Sequence, residues 1–520
     1  MSRMKTAAAL GVPERFNAAA YFVDRHLAEG RGAKVAIECG DDTVTYAQLH
    51  ERVNRFGDAL QSRFGVRPGE RVALLLLDGP AFAYAFFGAI KIGAVPIPTN
   101  TLWKAADYSY LLNDSYARVV VISEELLQEF GKIPRDSVPE VEHILVAGRG
   151  GASLSSPFDQ FLADGSPLLE AELMDRDAPA FWLYSSGSTG APKGCVHLQH
   201  DMVVCAELFA RGVLGITERD RCFSVAKLFF AYGLGNALYF PLAVGATSIL
   251  WPGAPAPANV YATIERHRPT LFFSVPTGYG MLLAHEGTPD LSSVRLAVSA
   301  GEALPPALYD RFKERFAIDI LDGIGSTEAL QMFISNRPGD IRPGSSGRVV
   351  PGYDARIVDD QNQLVPPGEI GNLWISGDST CAYYWNQPEK TRATIDGVWL
   401  RTGDKYSQDA DGYFWYAGRS DDMLKVGGLW VSPIQVENAL MAHPAVQECA
   451  VVGREDHDTL IKPCAYVVLR AATPASPALA AELQQFVRDR LAQYKRPRWV
   501  EFLPELPKTP TGKIQRFKLR

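Results

Sequence analysis

Cysteine is sparse in this sequence, and neither sign of charge dominates it. Seven cysteines among 520 residues form no CxxC pair, which argues against a disulfide framework or a zinc ribbon and predicts reduced thiols in the cytoplasm. The 52 lysines and arginines against 59 aspartates and glutamates leave a formal charge of −7. This small negative net charge argues against binding to nucleic acid or to an anionic membrane, because both require clustered cations.

The sequence also has little that could cross a membrane. Its N-terminal apolar run ends after six residues at Pro13, which is too short for a convincing signal peptide. Residues 228–251 carry no formal charge over 24 positions, a length that could span a bilayer. Three glycines and a proline interrupt this stretch. It therefore predicts a buried helix followed by a turn and a strand.

The sequence does contain a regular alternation of apolar strands and amphipathic helices. With 520 residues, of which 47% are hydrophobic and 21% charged, it has room for about three folding units. Residues 46–64 have apolar positions at helical spacing. Near-continuous apolar runs predict parallel strands that are covered by helices on both faces. These runs occupy 71–78, 117–123, 247–251, 269–276 and 294–300.

The pattern changes twice towards the C-terminus. After about residue 345, alternating strands separated by turns predict a small antiparallel or barrel-like unit. A second change follows residues 418–428, and the last hundred or so residues carry their own helices and strands. The sequence therefore predicts an α/β fold. A large N-terminal domain (1–420) contains layered sheets and the barrel-like unit, and a small α+β C-terminal domain (421–520) follows it.

The strongest local signal is a loop rich in glycine and hydroxyl groups at residues 184–194, YSSGSTGAPKG. It follows an apolar strand and ends close to Lys193. Backbone N–H groups, hydroxyls and an ammonium together suit a polyphosphate. The loop is not a Walker A motif, because Pro192 stands where the second glycine would be. The alternative is an ordinary surface loop rich in serine and glycine.

A second cluster, DGIGSTE at residues 322–328, is placed by the sequence after the strand IDIL. Glu328 replaces the third glycine of a dinucleotide fingerprint, so that motif is not present. Thr327 and Glu328 offer hard oxygen ligands that suit Mg²⁺ near phosphates. A helix N-cap at Ser326 or Thr327 is an equally good interpretation of the same residues.

Three further clusters are weak when taken alone. Residues 401–404 and 418–422 each contain an aspartate that could accept hydrogen bonds from ribose hydroxyls. The alternative is that the aspartate simply forms a turn. Residues 507–516 place a lysine on a loop with glycine and proline, which is usually a solvated tail. His197 and His200 form an HxxH pair without a third ligand at metal spacing. The aromatic stretch 227–235 is by itself more often core than pocket.

In this order and spacing, the clusters resemble the adenylate-forming superfamily of acyl- and aryl-CoA ligases, luciferases and peptide-synthetase adenylation domains. The resemblance covers nearly the whole chain. Within the superfamily, benzoate-CoA ligases and related aryl-CoA ligases are most similar in five segments: FWLYSSGSTG, AKLFFAYGLGNAL, SAGEALP, DGIGSTE and PKTPTGKIQRFKLR. The resemblance implies a cytoplasmic acid–thiol ligase that converts an aromatic carboxylic acid, ATP and coenzyme A into aryl-CoA, AMP and diphosphate. It also implies Mg²⁺ and is compatible with a homodimer.

The same resemblance implies the residues of the nucleotide site. Thr327 would contact the α-phosphate of ATP and Glu328 would bind Mg²⁺. Asp404 and Arg419 would hold the ribose hydroxyls. The β- and γ-phosphates would lie against the residues of the glycine-rich loop: Ser185, Ser186, Gly187, Ser188, Thr189, Gly190 and Lys193. The adenine would lie within 299–305 and 322–324, against Gly301, Glu302, Ala303, Asp322, Gly323 and Ile324.

Other roles implied by the resemblance belong to the C-terminal part of the chain. Lys513 would be the catalytic lysine of adenylation, and Asp421 would be the hinge about which a mobile C-terminal domain turns. The pantetheine arm of coenzyme A would pass along a short segment before the first C-terminal helix. Its residues would be Lys425, Val426, Gly427 and Gly428.

The acid pocket implied by the resemblance is an aromatic slot bounded by glycines, which suits a flat ring better than a long alkyl chain. One wall would be Phe230, Ala231, Tyr232 and Gly233. The opposite wall would be Ala300, Gly301, Gly325, Leu330, Gln331, Met332 and Phe333. Benzoate-CoA ligases usually carry His and Ile where this sequence has Gln331 and Met332, and many relatives have Tyr where it has Ile324.

These departures leave the acid open. Because Gln can hydrogen-bond a ring substituent, 2-aminobenzoate (anthranilate) or a hydroxybenzoate is an alternative to benzoate. An enzyme that adenylates an aryl acid and loads it onto a carrier protein is a second alternative. A nucleotide-binding regulatory or scaffolding module is a third, but it would be expected to lose Lys513, Glu328 or the glycine-rich loop, and all are present.

Overall fold

The computed structural model describes residues 6–148, 156–185, 192–287, 289–420, 422–426, 429–457, 460–471, 473–508 and 514–520. Within these ranges, the predicted parallel strands are confirmed as two sheets. The smaller sheet is parallel throughout. Its five strands lie in the order Val95–Pro98, Arg71–Leu75, Ala117–Ser123, His143–Ala147 and Ser156–Pro157.

The strand Arg71–Leu75 shows why such runs are apolar throughout. Side chains alternate between the two faces of a strand. Val72 and Leu74 belong to one hydrophobic core, whereas Ala73 and Leu75 belong to another. Helices cover both faces, so the four positions after the half-buried Arg71 are removed from water and favour apolar residues.

The larger sheet is parallel in its middle and antiparallel at both edges. The antiparallel edges were not predicted from the sequence. Its nine strands lie in the order Arg348–Val349, Met332–Ser335, Ile320–Gly325, Leu296–Ser299, Leu271–Ser274, Arg221–Ser224, Thr247–Leu250, Val35–Cys39 and Asp42–Thr45.

The helix predicted over 46–64 is confirmed as Tyr46–Phe64, and its ends follow from local chemistry. Thr45 and Gln48 form a reciprocal capping box at its start. Gly65 ends the helix in the left-handed conformation. The other α-helices are Thr6–Ala9, Arg25–Ala28, Pro80–Lys91, Ala105–Ser115, Leu127–Phe130, Phe158–Asp164, Asp201–Cys205, Ala231–Leu234, Phe240–Val244, Pro257–His267, Pro276–Ala284, Pro306–Phe316, Pro388–Thr394, Pro433–Met441 and Pro477–Arg488.

The uncharged stretch 228–251 forms buried helical turns and then a strand, as predicted. A π-helical segment, Gly235–Tyr239, joins two short α-helices. Gly245 then turns the chain with φ +77° into the strand Thr247–Leu250. Among the described residues, no helix combines the length and apolar character needed to cross a membrane.

A three-stranded antiparallel sheet carries the glycine-rich loop. The loop joins its first two strands, Pro179–Ser185 and Lys193–Leu198. The third strand, Tyr383–Tyr384, comes from far along the chain and pairs with the second. The sheet therefore brings residues near 185, 193 and 384 to one place.

The C-terminal half changes character where the sequence predicts it. A five-stranded antiparallel sheet contains Asp354–Val358, Gly371–Ser376, Ile395–Asp396, Trp399–Gln408 and Phe414–Arg419. A hairpin of Leu424–Val426 and Leu429–Val431 follows. The last sheet contains Val446–Glu455, Ile461–Leu469 and Trp499–Phe502. This last part has its own hydrophobic core, while the boundary at residues 420 and 421 stays a prediction.

The sequence placed the cluster at residues 322–328 after a strand, and this is only partly right. The strand is Ile320–Gly325, so Asp322, Gly323 and Ile324 lie within it. The remaining residues form a turn rather than the start of a helix. In this turn, the Ser326 hydroxyl accepts a hydrogen bond from the backbone N–H of Ala329 at 3.1 Å.

Candidate active site

The phosphate side of the candidate site is a cluster of hydrogen-bonded polar groups. Lys193 Nζ lies 2.7 Å from the Tyr384 hydroxyl and 3.1 Å from Glu328 Oε1. The Tyr384 hydroxyl donates to the same carboxylate oxygen at 2.8 Å. Ser185 Oγ is 3.5 Å from it. Three distant parts of the sequence thus converge at the base of the glycine-rich loop.

The charges of this cluster stabilise each other. Burial raises the pKa of Glu328, but the positive charge of Lys193 and the hydrogen bond from Tyr384 outweigh that effect, so the pKa lies below its ordinary value. Burial beside this carboxylate also raises the pKa of Tyr384 well above its usual range. At neutral pH the cluster therefore contains an ionised carboxylate and a protonated phenol.

The turn that carries Thr327 is fixed from behind by buried polar groups. The Nε2 atom of His197 lies 2.8 Å from the Thr327 carbonyl oxygen, and its Nδ1 atom lies 2.8 Å from Asp201 Oδ2. Both partners are hydrogen-bond acceptors, so a neutral imidazole can donate to only one of them, and the ring is held between Asp201 and the Thr327 carbonyl. His200 instead contacts the carbonyl oxygens of Arg176 and Asp378. The HxxH pair is thus structural, and no group of three metal-ligating side chains occurs in the described residues.

The adenine side lies at the carboxyl ends of two neighbouring parallel strands. Ser299 pairs with Asp322 in register, which brings the segment 301–303 next to 322–324. Gly301 turns there with φ +88°. Thr277 Oγ1 donates to Glu302 Oε2 at 2.9 Å, which fixes that side chain. Ligands of open α/β sheets bind at this end of the strands.

Asp322 is a buried acid in this region. The backbone N–H of Leu304 points to its Oδ2 atom at 3.4 Å. Burial raises the pKa of Asp322 to about 8, although this hydrogen bond acts in the opposite direction. The side chain is therefore protonated and neutral at neutral pH.

The predicted ribose pair is brought together by the antiparallel sheet. Asp404 and Arg419 face each other in register on adjacent strands. An Arg419 guanidinium N–H donates to Asp404 Oδ1 at 3.0 Å and to the Thr402 carbonyl at 3.1 Å. Gly403 has φ +76°, and a Cβ atom there would lie 2.9 Å from the same guanidinium. The arrangement presents a carboxylate and a guanidinium side by side.

The predicted acid pocket is held by hydrogen bonds between neutral groups. The Gln331 amide donates to the Tyr232 carbonyl and to Asn236 Oδ1, both at 3.2 Å, and its oxygen accepts from the Met332 N–H at 3.1 Å. The Tyr232 hydroxyl donates to the carbonyls of Val298 and Ser274 at 3.0 and 3.2 Å. The two predicted walls are therefore linked to each other and to the parallel sheet.

Glycines in these walls are required by close backbone approach. A Cβ at Gly233 would lie 2.1 Å from the Lys227 carbonyl oxygen, and one at Gly325 would lie 2.7 Å from the Gln331 carbonyl oxygen. Neither backbone atom can move aside as a flexible side chain would. Leu330, at the end of the adjoining turn, adopts φ +66°, a conformation that L-residues seldom take.

The structure places the other predicted site residues as follows. Phe230 is half-buried and Ala231 is buried at the start of a short helix, and Ala300 and Met332 are buried beside Gly301 and Gly325. Val426 ends a strand, and Lys425 lies in that strand by its backbone. Several predictions fall outside the described residues and stay predictions: Ser186, Gly187, Ser188, Thr189, Gly190, Asp421, Gly427, Gly428 and Lys513.

Sequence reasoning missed several residues of this site. Tyr384 lies in an aromatic run of ordinary appearance, CAYYW, and only the pairing of distant strands reveals its contact with Lys193 and Glu328. His197 was considered only as part of a possible metal motif, and Asp201 was not singled out. Their spacing of four residues was not a helical signal, because His197 lies in the strand Lys193–Leu198 and Asp201 begins the helix Asp201–Cys205.

Comparison with known proteins then identifies the family. The model of the AMP-binding enzyme family matches residues 24–385, and that of the AMP-binding enzyme C-terminal domain matches residues 435–513. The chain belongs to the AMP-binding enzyme family. As a member of this adenylate-forming family, it has the mixed α/β fold that the sequence predicts.

Relatives of this AMP-binding enzyme align over almost its full length. A benzoate–CoA ligase of Thauera aromatica is 52% identical over 99% of this chain and 98% of its own. The structure of an anthranilate CoA ligase, AuaEII, in complex with anthranoyl-AMP is 48% identical, covers 99% of this chain and 98% of its own, and has a TM-score of 0.94. A benzoate CoA ligase from Burkholderia xenovorans LB400 is 45% identical, covers 97% of this chain and 100% of its own, and has a TM-score of 0.90.

Proposed function

We propose that this protein is an ATP-dependent aryl-CoA ligase that activates benzoate or a substituted benzoate. It forms the aroyl-adenylate, transfers the aroyl group to coenzyme A, and releases AMP and diphosphate. The observation that carries the proposal is a charged cluster, Lys193, Glu328 and Tyr384. Its Glu328 lies three residues along the chain from Gln331, whose amide bonds to the opposite predicted wall of the acid pocket. The similarity to a benzoate–CoA ligase over nearly the whole chain supports it.

In the first half-reaction, the carboxylate of the acid attacks the α-phosphorus of ATP, and diphosphate leaves. Both reactants are anionic, so cations must offset their repulsion. Lys193 suits the β- and γ-phosphates, because it is the first residue of the strand that follows the glycine-rich loop. Thr327 is proposed to contact the α-phosphate, and Lys513 to stabilise the charge that develops there.

The residues present fit a magnesium ion. Glu328 is an ionised and largely buried carboxylate, and Mg²⁺ is typically held by one or two carboxylates together with substrate phosphates. When bound, the ion would neutralise part of the phosphate charge. Glu328 would then exchange its contact with Lys193 for the metal, which would leave the ammonium available to the phosphates.

In the second half-reaction, the thiolate of coenzyme A attacks the carbonyl carbon of the aroyl-adenylate, and AMP leaves. Adenylation and thioester formation need different groups at one place, so a domain rotation about Asp421 is proposed. It would withdraw Lys513 and bring Lys425, Val426, Gly427 and Gly428 to the pantetheine arm.

The contacts of Gln331 favour unsubstituted benzoate. Both N–H groups of its amide already donate to protein acceptors, and its oxygen accepts from Met332. A ring substituent would therefore have to compete with these bonds. Anthranilate stays a second candidate, because a solved anthranilate CoA ligase is 48% identical to this chain. A hydroxybenzoate is also retained, since a 4-hydroxybenzoate–CoA/benzoate–CoA ligase is 44% identical.

A panel of acids tests this proposal. The purified protein is assayed for AMP release with ATP, coenzyme A and one of benzoate, 2-aminobenzoate, the hydroxybenzoates, cinnamate or a medium-chain fatty acid. We expect benzoate to give the highest kcat/KM. Preference for a fatty acid would contradict the aryl pocket, and transfer to a holo carrier protein in place of free coenzyme A would contradict the acceptor.

A variant separates the two half-reactions. Lys513→Ala should abolish adenylate formation and largely spare thioester formation from supplied benzoyl-AMP. Equal loss of both steps would contradict the role proposed for Lys513. The homodimer and the cytoplasmic location remain predictions from the sequence.

A further inference from the structure

The last two turns of the helix Ala105–Ser115 contact three separate segments of the phosphate side. This helix packs on the smaller parallel sheet and contributes no residue to the site described above. Its residues Tyr110 and Asp114 are four positions apart, so their side chains lie on one face of the helix. Both reach the strands that flank the glycine-rich loop.

Tyr110 holds the residue next to Lys193. Its hydroxyl donates to the backbone carbonyl oxygen of Pro192 at 3.0 Å. Pro192 is covalently adjacent to Lys193, so this bond restrains the backbone from which the lysine side chain extends. A proline has no backbone N–H to bond elsewhere, and the carbonyl is its sole main-chain polar contact.

Asp114 holds the other side of the loop and the third strand. Its Oδ2 atom accepts a hydrogen bond from the Tyr184 hydroxyl at 2.6 Å. Its backbone carbonyl accepts from Trp385 Nε1 at 2.8 Å. Tyr184 immediately precedes Ser185, and Trp385 immediately follows Tyr384. The Trp385 ring also packs on Trp182, with ring centroids 4.4 Å apart.

The position of Asp114 is unfavourable for the helix itself. A carboxylate in the last turn faces the negative end of the helix dipole, and no basic residue occupies that turn. Burial also raises the pKa of Asp114, only partly offset by the hydrogen bond from Tyr184. Helix stability therefore does not explain an aspartate here, whereas its contact with Tyr184 does.

We propose that Tyr110 and Asp114 are positioning residues that fix Lys193 and the two strand ends around it for the triphosphate of ATP. Tyr110 acts on Lys193 through Pro192. Asp114 acts on Ser185 through Tyr184, and its backbone acts on Tyr384 through Trp385. The inference rests on the proposed role of Lys193 as the ligand of the β- and γ-phosphates.

The two side chains can be tested by substitutions that remove one hydrogen bond each. Tyr110→Phe deletes the hydroxyl, and Asp114→Ala deletes the acceptor. Asp114→Asn keeps an acceptor oxygen for Tyr184 and should restore wild-type behaviour. Tyr108→Phe is the matched control, because the Tyr108 hydroxyl on the same helix is buried and has no hydrogen-bond partner among the described residues.

The decisive measurement compares two nucleotides by isothermal titration calorimetry on the full-length protein. We expect Tyr110→Phe and Asp114→Ala each to weaken binding of α,β-methylene-ATP about fivefold, the usual size of one lost hydrogen bond. AMP, which lacks the β- and γ-phosphates, should bind as it does to the wild type. Equal weakening for both nucleotides, or equal behaviour of Tyr110→Phe and Tyr108→Phe, would overturn the proposal.

Kinetics give an independent reading. The variants should raise the KM for ATP and leave thioester formation from supplied benzoyl-AMP unchanged. Asp114→Ala removes an unfavourable charge from the helix end but leaves the Tyr184 hydroxyl without its acceptor, so the melting temperature is measured for every variant and binding is compared only among folded ones. If Tyr110→Phe fails to fold, the comparison of Asp114→Ala with Asp114→Asn tests the proposal. If the wild type binds the ATP analogue but forms no aroyl-CoA, the proposed function fails while the nucleotide comparison still tests this inference.

Discussion

On the predicted acid side of the site, the polar side chains are neutral and are joined by hydrogen bonds. Gln331, Tyr232 and Asn236 are joined by amide, hydroxyl and carbonyl hydrogen bonds, and glycines let the backbones meet. On the phosphate side, charged groups hold one another instead, with Lys193 and Glu328 paired at 3.1 Å. The hydrogen bonds of the Gln331 amide are already formed without a ligand, whereas the ion pair is proposed to exchange partners when a ligand binds.

The difference follows from what each side has to recognise. A benzoate ring offers a flat apolar surface, so shape and fixed walls suffice to select it. A triphosphate carries several charges, and buried charges without partners are costly. Pairing the lysine with the glutamate keeps both stable in the free protein. Changes on the phosphate side should therefore affect the rate of adenylation, and changes on the acid side should affect the choice and affinity of the acid.

The largest effect is expected at Glu328. Glu328→Gln removes the charge proposed to bind Mg²⁺ and leaves Lys193 without its ion partner. Adenylation, measured as ATP–diphosphate exchange, should fall by about a hundredfold or more. Thioester formation from supplied benzoyl-AMP should fall far less. The exposed Glu140→Gln is a control, and an exchange rate within tenfold of wild type for Glu328→Gln would break the comparison.

The protonation state of Asp322 decides whether the predicted adenine side resembles the neutral acid side or the charged phosphate side. Its pKa is raised by burial from 3.8 to about 8, so between these pH values the folded state holds a proton that the unfolded state has lost. Stability should therefore fall as pH rises from about 4 to about 8, by up to about 1.4 kcal/mol per pH unit.

Asp322→Asn should flatten this slope. Chemical denaturation at several pH values between 4 and 8 measures it, with the exposed Asp310→Asn as the control. An unchanged slope in Asp322→Asn would show that the carboxyl group is already ionised in the folded protein and would move Asp322 to the charged part.

A smaller effect is expected on the acid side. Gln331→Leu leaves the Tyr232 carbonyl, Asn236 and the Met332 N–H without their partner, which should raise the KM for benzoate about tenfold. The KM for ATP should stay within about twofold of wild type. Gln331→His, which keeps a ring donor, should change the KM for benzoate less. Equal changes in both KM values would mean that the two sides are not separate.

The smallest effect is expected at Tyr384. Tyr384→Phe removes the neutral hydroxyl between Lys193 and Glu328 but keeps both charges. Adenylation should slow by about fivefold, the usual cost of one hydrogen bond, because Lys193 and Glu328 still pair directly. Tyr383→Phe is the matched control on the neighbouring residue, which is partly exposed. A loss as large as that of Glu328→Gln would indicate that the phenol, and not the charge pair, holds the cluster together.

Local patterns predicted much of this fold. The helix Tyr46–Phe64 and the strand Ala117–Ser123 have the bounds that periodicity indicated, because each pattern fits a single secondary structure. The glycine-rich loop was found because its composition is unusual. The antiparallel edges of the large sheet were missed, since pairing between distant strands leaves no local trace.

The limits within the site have the same cause. Asp322 was placed after its strand because glycines interrupt the apolar run, although the backbone stays extended through Gly325. The sequence left a hydrogen bond from Gln331 to a ring substituent open as an alternative, and in the structure Tyr232, Asn236 and Met332 take up its amide. Tyr384 could not be connected to Lys193 without the third strand of the small sheet. Each outcome depends on contacts between residues far apart in sequence.

The strand Ile320–Gly325 and the turn after it have a practical consequence for engineering. One continuous stretch runs from the adenine side at Asp322, past Thr327 and Glu328, to the acid side at Gln331. If the proposed sites are correct, this stretch fixes the distance between the nucleotide and the acid. Altering acid preference there would shift both ends together. Redesign for a new acid should therefore begin on the opposite predicted wall, within 230–236, to which no nucleotide contact is assigned.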